Sequence, residues 1–327
     1  MLALLLLLQA PQPQLLVPEV SVIVDIRANL SGSRRVEERN RVVVEEMELS
    51  LQGYLTPTSR ADVFLALHRH EGGRLEPEIC EGYVTFSQLG KGLSLRAGHI
   101  HIPFGKINPL HGHHRPFADL PPALETFFGH HGLVGDGAIL EWLLPMKTFA
   151  RLELGRWAIP NHHHLGHLHL GLHGDVYTLR LWTGREIGPK SHLDIGLSGA
   201  RVEGKRTYAL GLDIRWRRWP QAFEREEALL EVLWGRAEGA PERRPFGAFL
   251  YLGKRLDQYH ELGARLDWAK GPDGKVREGF SLLATKYLTE TTFLRLQVRY
   301  NRLASHRWLD AILNFTWGMG PHAHRLE

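Results

Sequence analysis

The sequence predicts a transmembrane antiparallel β-barrel of about sixteen strands, and three observations predict it. From about Pro18 onward, short segments alternate apolar and polar residues at period two, the pattern of a strand with one face in lipid and the other in water. Sixteen such segments follow one another, each about as long as a tilted strand needs to cross a bilayer. Their connections alternate too, brief at one end and long at the other, as in a barrel with both termini in the periplasm. A soluble sandwich also alternates, but it hides its apolar faces between two sheets and has no reason to sort loop length by parity.

The first residues, 1–16, read as a signal peptide and leader, with an apolar run from Leu2 to Leu8, and the barrel occupies 17–327. Within a few residues the segments span 18–29, 41–54, 60–69, 77–87, 92–102, 135–144, 147–158, 174–186, 191–202, 205–218, 226–237, 245–255, 260–269, 276–288, 290–302 and 307–319. In the second, Met47, Leu49 and Leu51 interleave with Glu46, Glu48, Ser50 and Gln52. The fourth contains the single cysteine, Cys80, read as a small packed side chain; one cysteine excludes an intrachain disulfide framework. The eighth, tenth and thirteenth put Tyr177, Leu179 and Leu181, then Tyr208, Leu210 and Leu212, then Leu262, Leu266 and Trp268 on the apolar face. In the fifteenth, Leu294, Leu296, Val298 and Tyr300 alternate with Arg295, Gln297, Arg299 and Asn301, and in the sixteenth Leu309, Leu313, Phe315 and Trp317 repeat the pattern. Even-to-odd connections such as Leu55 to Ser59 and Ile187 to Lys190 are short. Odd-to-even ones include Leu30 to Asn40, Ile159 to His173 and Glu238 to Arg244, with Glu203-Gly204 as the exception, a tight hairpin on the long-loop side.

The longest connection, 103–134, exceeds what a passive loop needs. It carries four phenylalanines, and Asp119 to Gly129 reads as a short helix with Asp119 as N-cap, prolines in the first turn and Gly129 as the stop. Rising from the fifth strand, it is expected to turn inward and constrict the pore through Phe104, Asn108, Arg115, Phe117, Asp119, Phe127 and Phe128.

Histidine is the second anomaly: there are 20, and this topology puts sixteen in outer loops or at outer strand ends. Neutral imidazole binds zinc, copper and nickel, and two or three histidines with a carboxylate complete a site. His111, His113 and His114 with Asp119 are close enough in sequence to share an ion, with His162, His163 and His164 as further ligands from the next long loop. The other reading is hydrogen bonding and stacking within the folded loop, because neighbours on an extended chain point to opposite sides.

The run Gly98-His-Ile-His-Ile-Pro-Phe-Gly-Lys-Ile-Asn-Pro-Leu-His-Gly-His-His-Arg-Pro-Phe-Ala-Asp-Leu-Pro-Pro122, followed by Phe127-Phe-Gly-His-His-Gly-Leu-Val-Gly-Asp-Gly137, resembles the zinc-regulated outer-membrane porin-like family, and the tail Gly318-Met-Gly-Pro-His-Ala-His-Arg325 is similar to its histidine-containing end. The resemblance is specific over about 40 residues of the chain. It implies an outer-membrane barrel, a link to zinc, and His111, His113, Phe117 and Asp119 as matching positions, without assigning them a ligand role. Two departures stand out: His99 follows the glycine where the family pattern has a lysine, and the chain ends in Leu326-Glu327 instead of an aromatic residue.

Hydrophobic residues make up 43%, and no stretch past the start reaches the roughly 20 apolar residues of a spanning helix. Lumen-facing charges are mixed: Arg96, Arg151, Arg180, Arg215, Arg217, Arg265, Arg295 and Arg299 stand with Asp25, Glu46, Glu48, Glu141, Glu153, Asp213 and Asp267, and opposing charges across a wall mostly pair. A net charge of +4 implies at most mild anion preference. No nucleic-acid module is present. Gly196-Leu-Ser-Gly-Ala200 lacks the final glycine of a nucleophile elbow, so the chain is not read as an enzyme, and 327 residues leave no space for a plug plus twenty-two strands. The expected function is an outer-membrane porin-like channel for small solutes, zinc or other metal ions or their complexes. The alternative is a surface metal-binding or adhesion protein with a closed barrel as anchor. No cofactor is required, zinc is the optional ligand, and the expected partners are membrane lipid, solutes or metal ions, and further copies of the chain.

Overall fold

The computed structural model describes residues 17–33, 39–69, 74–160 and 169–321. Sixteen strands form one closed antiparallel barrel. In order they are β1 (Glu19–Ser31), β2 (Arg41–Thr56), β3 (Ser59–Arg69), β4 (Leu75–Gly90), β5 (Leu93–His101), β6 (Val134–Leu143), β7 (Phe149–Ile159), β8 (Gly174–Gly188), β9 (Ser191–Val202), β10 (Tyr208–Arg218), β11 (Arg225–Arg236), β12 (Phe246–Arg255), β13 (His260–Lys270), β14 (Val276–Tyr287), β15 (Phe293–Leu303) and β16 (His306–Met319). β1 pairs with β16, from Val22 opposite Met319 to Ser31 opposite Asp310, so no edge is left. Closure is what hydrocarbon demands, because every backbone N–H and C=O must find a partner within the protein.

Every expected segment corresponds to one strand, with ends shifted by a few residues. The parity of connections is clear over the first half and weaker over the second. Beside the tight turn after β9, the turns 271–275 and Ala304-Ser305 are also short at the long-loop end. The leader 1–16 and the tail from His322 lie outside the described residues.

The outward face carries a belt of exposed leucines, among them Leu154, Leu179, Leu197, Leu266 and Leu282. Aromatic residues bound it, with Tyr54, Phe86, Trp142, Phe149 and Tyr259 toward the short turns and Tyr177, Trp234, Phe246, Trp268 and Tyr300 toward the long loops. A continuous apolar belt between aromatic girdles is a lipid-facing surface.

Among the described residues the large apolar core sits inside the barrel, where residues 102–133 fold back into the lumen. This segment holds a three-residue 3-10 turn (Gly112–His114) and the short helix α1 (Pro122–Phe128). Gly129 ends α1 with φ +83°, as expected, but the N-cap is Pro121 and not Asp119, whose carboxylate is engaged elsewhere.

Two bulges shape the wall facing the segment. Asp25 lies opposite Glu46 and Ile26 opposite Val44, leaving Glu45 as the extra residue in β2. Phe64 lies opposite Glu81 and Leu65 opposite Ile79, leaving Cys80 as the extra residue in β4. A bulge breaks the period-two alternation, so two consecutive side chains reach one face; Cys80 and Glu81 are both buried.

Candidate functional site

A lumen wall is normally polar, yet the positions of β6 to β12 that face inward include Ile139, Trp157, Val176, Leu229, Leu233, Phe249 and Tyr251. The segment supplies the matching surface with Ile102, Phe104, Ile107, Phe117, Leu124 and Phe127, all at most 1% exposed. Glycines on the wall let it sit close: a Cβ on Gly211 would come 2.6 Å from the Phe104 ring, and one on Gly247 2.9 Å from the Ala123 Cβ. Phe104 meets Phe128 edge-on at 5.0 Å, and Phe117 meets Phe249 and Tyr251 at 6.0 and 5.8 Å.

Polar bonds then tie the segment to several strands. The Asn108 side chain closes its neck, donating to the Ile102 and Leu133 carbonyls at 2.8 and 3.0 Å and accepting from the Leu133 amide at 2.7 Å. Glu231 of β11 accepts from the amides of Lys106 and Ile107 at 2.6 and 2.9 Å, where Gly105 takes φ +68° and a Cβ would strike that carboxylate. Asp119 accepts from Arg265 at 3.0 Å, from Gln297 at 2.6 Å and from Arg299. Burial alone would raise its pKa, but the two guanidiniums outweigh that and hold it well below the usual carboxylate range. Arg295 donates to the Arg115 carbonyl at 2.8 Å.

On the opposite wall His111 bridges two carboxylates, with Nδ1 2.6 Å from Glu48 and Nε2 3.1 Å from Glu81. Burial disfavours the charged ring, yet the Glu48 charge and the hydrogen bonds to both glutamates prevail and raise its pKa to about 10. At neutral pH it is therefore an imidazolium donating both protons, an electrostatic strut from the segment to β2 and β4.

Between the segment and the wall of β1 to β4 lies a vestibule of about 1170 Å³, lined also by residues from the long loops. Its lining carries eight Asp or Glu side chains, among them Asp25, Glu45, Glu46, Glu76 and Glu78, against the four arginines Arg27, Arg69, Arg115 and Arg299. Eight histidines line it as well, from His68 and His101 on the strands to His130, His131, His169 and His173 on the loops. Burial lowers the pKa of Arg115 to about 10, with Glu46 acting against the shift and Arg27 adding to it.

Of the seven expected constriction residues, Arg115, Asp119, Phe127 and Phe128 line this vestibule. Phe104 and Phe117 are packed between segment and wall, and Asn108 clasps the neck, all three at most 1% exposed. The expected grouping of Asp119 with His111, His113 and His114 does not form, because Asp119 is drawn to the arginines of β13 and β15 while His111 turns to the glutamates of β2 and β4. His113 packs on His111 and His114 on His113, with ring centroids 5.8 and 4.4 Å apart. His162, His163 and His164 lie outside the described residues. Among the described residues three groups of donors do come within 4.8 Å of one another: Glu46, His68 and Cys80; Glu48, His111 and His113; and Glu81, His101 and His111. The first joins three strands, with His68 Nε2 3.1 Å from the Cys80 sulfur and 3.8 Å from Glu46. Sequence alternation missed it because the bulge at Cys80 turns that thiol inward.

The lumen arginines pair as the sequence implies: Arg96 with Glu141 at 2.6 Å, Arg180 with Asp213 at 2.8 Å, Arg215 with Glu227 at 2.6 Å and Arg217 with Asp194 at 3.2 Å.

The barrel is similar to solved outer-membrane proteins. A loop-deletion form of OmpT from Vibrio cholerae has a TM-score of 0.61 at 6% identity, covering 93% of this chain and 100% of that one. The anion-selective porin of Comamonas acidovorans gives 0.61 at 10%, covering 92% and 99%, and OmpF of Salmonella typhi in complex with daunomycin gives 0.60 at 9%, covering 92% and 97%. At such identities the likeness is one of fold: the sixteen-stranded outer-membrane porin barrel. No family model and no curated protein matches the sequence.

Proposed function

We propose that this chain is a porin-like channel of the outer membrane, in which residues 102–133 set the bore and the outer vestibule favours small cations. The observation that carries this reading is the vestibule lining, eight acidic side chains against four arginines and the His111 imidazolium in a chain whose net charge is +4. A cleft lined by one excess sign concentrates counter-ions whatever the total charge of the molecule. The mild anion preference expected from composition is thus replaced by a cation preference.

Among cations the lining suits borderline divalent metals, zinc included, as cargo. Glu46, His68 and Cys80 offer oxygen, nitrogen and sulfur donors beside the vestibule, a set that suits zinc better than magnesium or calcium. An ion at His111 must displace a proton held by two glutamates. The resemblance of 98–137 to a zinc-regulated porin-like family agrees with such cargo. In assembly the reading extends to a homo-oligomer; V. cholerae OmpT is also described in a trimer form.

The test is the reversal potential of the refolded protein in planar bilayers under a KCl gradient at neutral pH. The expected result is steady conductance with cation selectivity. An anion-selective reversal potential overturns the vestibule reading, and a silent barrel that still binds zinc favours the surface-anchor alternative.

A further inference from the structure

We infer that the outer face of β7 to β11 holds a phosphorylated, acylated lipid of the outer leaflet, its acyl chains in an apolar groove and its phosphates on a row of rim arginines. Strand register builds that row. Arg156 on β7 lies opposite Tyr177 on β8, Tyr177 opposite Arg201 on β9, Arg201 opposite Tyr208 on β10, and Tyr208 opposite Arg236 on β11. Strands lie about 4.8 Å apart, so arginines on alternate strands stand about 10 Å from one another. Arg206 joins them from the β9–β10 turn and lines the same groove. This is the long-loop end of the barrel, the end that faces the outer leaflet.

One row toward the bilayer centre, the same strands present Leu154, Leu179, Gly199, Leu210 and Trp234. Leucines and small residues bound a groove of about 1050 Å³. Gly199 is not imposed by crowding, since a Cβ there would meet only the Leu210 side chain at 3.6 Å. Its missing side chain leaves a slot between Leu179 and Leu210.

Charge identifies the occupant. Arg156 is shared with Asp175 at 3.5 Å and Glu203 at 4.0 Å, and the Tyr177 hydroxyl donates to Glu203. Among the described residues no carboxylate pairs with the side chains of Arg201, Arg206 or Arg236, whereas Lys270 on β13 and Arg302 on β15 are paired, with Glu242 and Glu278. Guanidiniums at headgroup height above an apolar slot match a molecule that is anionic at one end and greasy at the other. A second copy docking by a two-fold axis would instead bring like-charged rows together.

The test is native mass spectrometry of the refolded full chain in zwitterionic micelles doped with diphosphoryl lipid A. Wild type is expected to retain a lipid A molecule. Each arginine contributes about fivefold to retention, so R201A/R206A/R236A is expected to weaken it roughly a hundredfold. G199L fills the slot, keeps every arginine and is also expected to release the lipid, while R302A retains it. The inference is overturned if the triple variant and G199L hold lipid A as wild type does. It is overturned equally if inorganic phosphate in excess strips lipid A from wild type, which would make this a free-anion site, or if the triple variant changes the oligomeric state with lipid retention unaltered.

Discussion

His111 shows how a residue chosen for one chemistry can serve another. A neutral imidazole beside a carboxylate would suit a metal; an imidazolium between Glu48 and Glu81 neutralises two buried charges and pins the lumen segment to β2 and β4. The pKa sets the pH dependence. It is raised from the ordinary 6.5 to about 10, so the stability it adds is complete below 6.5 and is lost as pH rises toward and through 10. Melting of the refolded protein followed from pH 6 to 11 should therefore fall across that window, and His111→Ala, which leaves two facing carboxylates, should be destabilised at pH 6 and lose the slope; a wild-type profile parallel to the variant's would refute the strut. Cys80 and His68 carry the opposite expectation. Zinc block of conductance should weaken at least about tenfold in Cys80→Ser and in His68→Ala, as loss of one ligand from a three-donor set implies, and change little when His113 and His114 become alanine. The sequence made His111 visible and hid Cys80, because histidines in a loop announce themselves, whereas a thiol inside a strand shows its face only once the bulge at β4 is known.

At the scale of elements, strands were legible and the inner packing was not. Lipid imposes alternation on every outward position, so Leu294 to Tyr300 or Leu262 to Trp268 declare a strand without any partner in view. The lumen face carries no such rule. Trp157, Leu229 and Phe249 stand at inward positions that alternation alone does not explain, and they form the floor on which residues 102–133 pack. The wall glycines were the other available signal. Gly211→Val should collide with Phe104, whose ring would lie 2.6 Å from the new Cβ, and lift the segment off the wall. Phe104→Ala should remove about 3 kcal/mol or more of local packing for the same outcome by cavity formation. Single-channel conductance should rise or become noisy in both, with the barrel still closed by heat-modifiability on gels. A folded variant with wild-type conductance would mean that the segment does not limit the bore. The helix reading erred for a related reason: Asp119 has the chemistry of an N-cap, but Arg265 and Arg299 across the lumen offer full charges, and charge-assisted bonds outcompete a capping amide.

For the whole molecule, charge must be read by surface and not by sum. The +4 total includes exposed cations outside the pore, such as Arg156, Arg201 and Arg236 on the lipid-facing rim, and these do not face a permeating ion. What the ion meets is the vestibule, where eight acidic side chains exceed four arginines and the His111 imidazolium. Glu45→Gln and Glu76→Gln, each removing an acidic side chain from that lining, should therefore move the neutral-pH reversal potential of the channel toward anion selectivity while the barrel stays closed. Reversal potentials of the double variant at neutral pH decide the matter: a cation preference that stays at the wild-type value with both acidic side chains removed would show that permeating ions do not sense the lining, and the vestibule would then lie off the conduction path.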